Sequence, residues 1–213
     1  MCQVENLITD LKTLAKDVGN LSMILQGSLA YGEYIQGFSD CDVFVLLYDK
    51  NKFDDILNGL KNLRKKHETC ALSWILIDKG QFDEWKKREE IEVMIDSPHG
   101  IIGFVLDKLS WQIVKYKGRV LFGPDFRKNM PDKSLKSRDI YMWLERLERD
   151  LISHAKEFGL ECLRFCIRRL KNVCEDVLAY KNIFVPTSKI PQVFKKYFSN
   201  FDSRIVEELL SYR

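Results

Sequence analysis

Residues 24–47 read ILQGSLAYGEYIQGFSDCDVFVLL, and the rest of the chain is arranged around this stretch. Two apolar, strand-like ends enclose a Gly27-Ser28 turn, a glycine-punctuated middle and two aspartates, Asp40 and Asp42, one residue apart. The run from Val43 to Leu47 is continuously apolar and predicts a strand buried on both faces. In a strand the side-chain period is two, so Asp40 and Asp42 are expected to point the same way. Like charges held together on a buried strand repel each other. A hard cation such as Mg²⁺, which takes carboxylate and phosphate oxygens, removes that cost. Gly27 lets the backbone come close to a ligand, and Ser28 offers a hydroxyl and an N–H at an expected helix start. Taken alone, an Asp-x-Asp pair is more often a solvated turn or an Asx cap. The Gly-Ser turn twelve residues upstream shifts the balance toward a metal and phosphate site.

The 213 residues allow one large domain or two small ones. A hydrophobic content of 46% can fill a core, and no apolar run approaches membrane-spanning length. The first nineteen residues mix acidic, basic and apolar side chains and do not read as a signal peptide. Six cysteines (2, 41, 70, 162, 166 and 174) form no C-x-x-C pair, which predicts reduced thiols and a cytoplasmic protein. Cys162 and Cys166, four apart on an expected helix, read as a core face rather than a metal site. A net charge of +3 does not call for nucleic acid.

The sequence GSLAYGEYIQGFSDCD resembles the G-S-x-A-x-G…S-D-x-D signature of the DNA polymerase β-like nucleotidyltransferase superfamily. It is most similar to the small prokaryotic type that includes minimal and aminoglycoside nucleotidyltransferases. Gly27, Ser28, Ala30, Gly32, Ser39, Asp40 and Asp42 fall on the pattern. The resemblance implies an α+β fold, a mixed sheet with flanking helices followed by an all-α helical bundle. It also implies Asp40 and Asp42 as catalytic metal ligands for Mg²⁺, with Mn²⁺ as a substitute, and Gly27, Ser28 and Ser39 as nucleotide-binding residues.

The family's third carboxylate belongs on the next strand, expected over residues 70–77. Aligned by apolar alternation, that position is Ser73, and Asp78 falls at the strand's far end. The departure leaves three readings: a two-carboxylate site, a base from the C-terminal part (Glu145, Glu148, Glu157 or Glu161), or lost turnover. On helix surfaces such glutamates mostly serve solubility. Residues 118–123, GRVLFG, resemble the family's closing G-x-x-L-y/f-G strand.

Apolar spacing predicts further helices over 4–16, 28–35, 52–67, 82–90 and 103–116 and a strand over 20–26; residues 91–95 read as a short strand or as a continuation of the preceding helix, with a break at 98–103. The basic end of the 52–67 helix, Arg64-Lys65-Lys66-His67, matches the helix C-terminal dipole without invoking phosphate. His99 reads as a solvent-exposed loop histidine. The domain is expected over 1–123, a linker over 124–136 and a helical bundle over 137–213, with Pro186 and Pro191 marking a turn. Arg164 and Arg168, four apart, read either as a solvated face or as bundle arginines reaching a triphosphate. Arg149 and His154 meet the R-x(4-6)-H spacing of HEPN ribonucleases, a spacing that charged helices meet by chance.

The expected activity is metal-dependent transfer of a nucleoside monophosphate from an NTP, ATP above all, to a hydroxyl of a small molecule or protein, releasing pyrophosphate. The alternative is a nucleotide-binding or partner-binding module of the same fold without turnover. Neither a membrane nor a nucleic acid is an expected partner, since the chain lacks an aromatic-basic platform for a strand; a homodimer is compatible with the sequence.

Overall fold

A computed structural model describes residues 3–36, 39–98, 100–139, 141, 145, 171 and 173–198. The chain divides into two units, Met1–Lys133 and Ser134–Arg213.

The first unit is a six-stranded sheet covered on both faces. Its strands are β1 (Leu21–Leu25), β2 (Cys41–Leu47), β3 (Leu72–Asp78), β4 (Ile91–Ser97), β5 (Gly100–Leu106) and β6 (Arg119–Phe122). They run in the order β5-β4-β3-β2-β1-β6. Only β2 and β3 are parallel, because the helix between them carries the chain back to the sheet's starting edge. The other neighbours are antiparallel.

The alternation of β2 shows how the two cores divide. Cys41, Val43, Val45 and Leu47 join one core, built with α1 (Gln3–Val18) and α3 (Phe53–Lys66). Phe44 and Leu46 join the other, built with α4 (Lys79–Lys87) and α5 (Lys108–Gln112). On the first face, Leu7 and Leu11 of α1 and Ile56 and Leu60 of α3 recur at helical spacing and are fully buried. On the second, Trp85 and Trp111 meet edge to face at 4.8 Å, and Phe44 stacks on Trp85 at 6.1 Å.

The helix expected over 103–116 is instead a strand followed by a short helix. β4 and β5 form a hairpin in register from Ile91↔Leu106 to Ser97↔Gly100. The apolar residues of 101–106 suit either period, and antiparallel pairing with β4 decides for the strand. The helix begins only where Asp107 caps it, accepting the Ser110 N–H at 2.9 Å. α5 then widens into a π-helix over Ile113–Lys117 before β6. The helix expected over 28–35 shrinks to the single turn α2 (Gly27–Ala30).

The segment assigned to a linker from residue 124 is packed as far as Lys133. Phe126 and Met130 are buried in the second core. The Trp111 Nε1–H donates to the Pro131 carbonyl and the Gln112 side-chain amide to the Lys133 carbonyl. Gly123, at φ +78°, is what lets β6 end against β1: a Cβ there would stand 2.2 Å from the Leu21 carbonyl oxygen.

In the second unit the described residues are helix, turn or loop. Residues 173–180 are helical, and a further helix spans Ile190–Tyr197. Pro191 sits in the first turn of that helix, where its missing N–H costs nothing, rather than in a turn before it. Cys174, Leu178, Ile190 and Phe194 form a small core. Among the described residues no helix is long and apolar enough to cross a membrane.

Candidate active site

The ends of β1, β2 and β3 converge on Asp42. β1 runs out of the sheet at Leu25, and the Gln26 N–H donates to the Asp42 carbonyl at 2.9 Å. The chain then turns at Gly27, whose φ of +58° lies in the left-handed region that a side chain resists. A Cβ on Gly27 would stand 3.2 Å from the Asp42 Oδ2. The Asp42 carboxylate therefore borders the space beside the Gly27 Cα that the missing side chain leaves open. Ser28 follows in the one-turn helix α2, half-buried, with its carbonyl accepting the Glu33 N–H at 2.9 Å.

Asp42 is the second residue of β2 and lies by alternation on the face of Phe44 and Leu46. Asp40 stands just before the strand, so strand alternation places Asp42 but not Asp40. Ser39 is buried and closes the preceding loop. Its N–H donates to the Ile35 carbonyl at 2.8 Å, and its Oγ accepts the Ile35 N–H at 3.0 Å. Cys41, between the aspartates, is fully buried. Burial first, then the neighbouring Cys70 thiol, pushes the Cys41 thiol up to about 12. A group held neutral in that way is neither a nucleophile nor a metal ligand near neutral pH.

In the parallel β2–β3 pair, Asp42 is in register with Ser73. The Ser73 hydroxyl donates to the Asp42 Oδ1 at 2.5 Å. Ser73 thus occupies the neighbouring-strand position where the sequence pattern sought a third carboxylate. Asp78 is in register with Leu47, at the opposite end of the strand. It caps α4, accepting the Gln81 N–H at 2.8 Å while the Gln81 side chain accepts the Asp78 N–H at 3.0 Å. The entry to β3 is fixed by Ala71, which holds a left-handed conformation at φ 48° and accepts the Cys41 N–H at 3.2 Å. Gln26 and Ala71 carry no motif signal, because both act through backbone groups that any residue supplies.

Three residues of the basic end of α3 pair within the domain. The Arg64 guanidinium lies 3.8 Å over the Trp74 ring, donates to Asp96 Oδ1 at 2.6 Å and also binds the Leu72, Asp96 and Ser97 carbonyls. Lys66 and His67 both reach Asp10 of α1, at 2.8 and 2.7 Å. Arg64 lies in the last turn of α3, as the dipole reading expects, and adds these contacts to it.

Arg164 and Arg168, with Glu148, Glu157, Glu161, His99, Arg149, His154, Cys162 and Cys166, lie outside the described residues. Glu145 is helical and exposed.

The donors around Asp42 are carboxylate and hydroxyl oxygens, a set suited to a hard divalent cation rather than a soft one. Among the described residues no three His, Cys, Asp or Glu side chains group to hold a metal. Mg²⁺ is commonly bound by one or two carboxylates together with phosphate oxygens of a substrate. The residues present fit that pattern.

The family model of the nucleotidyltransferase domain matches residues 4–98. In fold, the chain is similar to a spectinomycin adenyltransferase from Enterococcus faecialis, solved with ATP and spectinomycin. The TM-score is 0.63 and the identity 12%, over 97% of this chain and 87% of that one. A toxin–antitoxin structure with AMP-PNP is similar at a TM-score of 0.36 and 16% identity, over 70% of this chain and 98% of that one. No curated protein sequence matches the chain.

Proposed function

We propose, on the match of residues 4–98 to the nucleotidyltransferase domain, that the protein transfers a nucleoside monophosphate from an NTP to an acceptor hydroxyl. ATP is the favoured donor, and the acceptor is a small molecule or a protein side chain. The observation that carries this reading is the placement of Asp42, beside the side-chain-free Gly27 turn and held by Ser73 on the neighbouring strand.

Asp40 and Asp42 would hold a divalent cation, Mg²⁺ or Mn²⁺. When bound, such an ion neutralises phosphate charge and polarises the phosphoryl group to be attacked. The chain's own part is positioning. The Gly27-Ser28 backbone, open where a Cβ would stand, admits phosphate oxygens beside Asp42, and the Ser28 hydroxyl is available to them. In the transfer, the acceptor oxygen bonds to the α-phosphorus while the bond from that phosphorus to the bridging oxygen breaks. Pyrophosphate leaves with the electron pair, and the acceptor proton passes to a base. Neither Ser73, an alcohol already donating to Asp42, nor Asp78, at the far strand end, fills that role. Rate enhancement then rests on orientation and charge neutralisation.

The test is calorimetric titration of ATP and GTP with Mg²⁺ into wild type and Asp40→Asn/Asp42→Asn, with pyrophosphate release followed alongside. Metal-dependent binding that the double variant loses, accompanied by release, supports the transferase and justifies a screen of acceptors. Binding without release in the presence of candidate acceptors leaves a nucleotide-binding module. Absence of metal-linked binding in the wild type overturns the proposal.

A further inference from the structure

A side chain of the neighbouring strand engages Asp42 through Oδ1. Its Oδ1 takes the Ser73 hydroxyl at 2.5 Å, while its Oδ2 is the atom that faces Gly27. A hydrogen bond to an ionised carboxylate is short and stronger than a neutral one, and it fixes rotation about the terminal torsion, which is otherwise broad. Ser73 is itself held firmly. It lies in strand register with Asp42, and the backbone just before it is tied to β2 through the Cys41 N–H and the Ala71 carbonyl.

We infer that Ser73 is a positioning residue for the Asp42 carboxylate: by occupying Oδ1 it keeps Oδ2 turned toward the Gly27 backbone, where a nucleotide-bound divalent cation would be taken. The inference rests on the nucleotidyltransferase reading. A carboxylate at this place would add charge and a further ligand. A hydroxyl adds neither and acts only through Asp42. Groups that orient a metal ligand through a hydrogen bond set metal affinity even though they never touch the ion. Space-filling by Ser73 would leave metal affinity indifferent to its hydroxyl.

The experiment uses the full chain as wild type, Ser73→Ala and Ser73→Thr, each checked for folding by circular dichroism. Mn²⁺ is titrated in the presence of α,β-methylene-ATP, and free Mn²⁺ is read by electron paramagnetic resonance. Ser73→Ala is expected to weaken Mn²⁺ binding about 10–100-fold, and Ser73→Thr, which keeps the hydroxyl, to restore most of it. Should Ser73→Ala not fold, Ser73→Cys, a near-isostere with a weak donor, takes its place with the same expected loss. A hydroxyl-free variant that binds Mn²⁺ as tightly as wild type overturns the inference while leaving the transferase reading standing. So does a folded Ser73→Thr that binds no better than Ser73→Ala. A wild type that binds no Mn²⁺ with the analogue overturns the transferase reading itself, and the inference with it.

Discussion

The Ser73 hydroxyl and the Asp42 carboxylate meet at 2.5 Å across a parallel pair of strands in which the two residues are in register. Parallel strands need a crossover, and here α3 supplies it. The two strands are therefore joined through α3, which shares a core with α1.

Gly27 is the position where the site tolerates least change. A methyl group there meets Asp42 Oδ2 at 3.2 Å, and the left-handed backbone resists it. Gly27→Ala is expected to lower stability by about 1–2 kcal/mol from the backbone conformation. Nucleotide affinity should fall about tenfold or more if the phosphates approach through this opening, a loss of about 1.4 kcal/mol in binding. Urea denaturation and calorimetry read the two effects separately. Unchanged affinity in a folded variant would place the phosphates elsewhere.

Ala71 stores strain just before β3. Its φ of 48° is unfavourable for any residue with a Cβ, and glycine relieves that cost while losing more entropy on folding. The balance predicts that Ala71→Gly raises stability by about 0.5–1 kcal/mol. A shift of the urea midpoint to higher concentration at constant slope would show it, and a shift to lower concentration would refute it.

Arg64 and Asp96 tie α3 to the β4–β5 hairpin through side chains that are 21% and 11% exposed. Removing Asp96 leaves a mostly buried guanidinium without its counter-charge, so Asp96→Ala is expected to cost about 3 kcal/mol. Replacing both, as Arg64→Met with Asp96→Leu, should cost less than the single change, since no charge is then stranded. A thermal or urea double-mutant cycle checks this, and strict additivity of the two single changes would contradict it.

Asp10 carries a pH-dependent share of stability. Hydrogen bonds from Lys66 and then His67 hold its carboxyl below the usual carboxylate range. A depressed folded value means that the contribution is present above the unfolded value, about 3.9, and is lost as pH falls through the folded one. Because Asp10 is partly open to solvent, its size is taken as about 0.5 kcal/mol. Wild type should thus exceed Asp10→Asn in stability at pH 6, and the gap should close below about pH 4. A gap that persists undiminished at pH 2 would point to a different cause.

Much of the site was legible before the fold. The Gly27-Ser28 turn and the apolar run after Asp42 follow from turn chemistry and alternation, which are local properties, whereas Ser73 was singled out through the family resemblance. The β4–β5 hairpin was not legible in that way. Residues 103–116 mix apolar side chains at spacings that suit either period, and only the partner strand resolves them. Phe126 and Met130 likewise sit in a Pro- and Asp-rich stretch that reads as linker, yet both are buried in the second core.

Read alone, the chain specifies the kind of groups present and their order: a glycine at the turn, two aspartates beside a buried strand and a serine on the strand that follows. Local patterning carries this information because helix and strand periods are properties of consecutive residues. Which of these groups meet is set by the folded chain. The hydroxyl of Ser73 reaches Asp42 Oδ1, the Gly27 backbone closes on Oδ2, and Arg64 turns inward to Asp96 rather than outward to a phosphate. Each of these contacts joins residues from 15 to 32 positions apart. Strand register and helix packing set such distances, and neither is written in any single stretch of the chain.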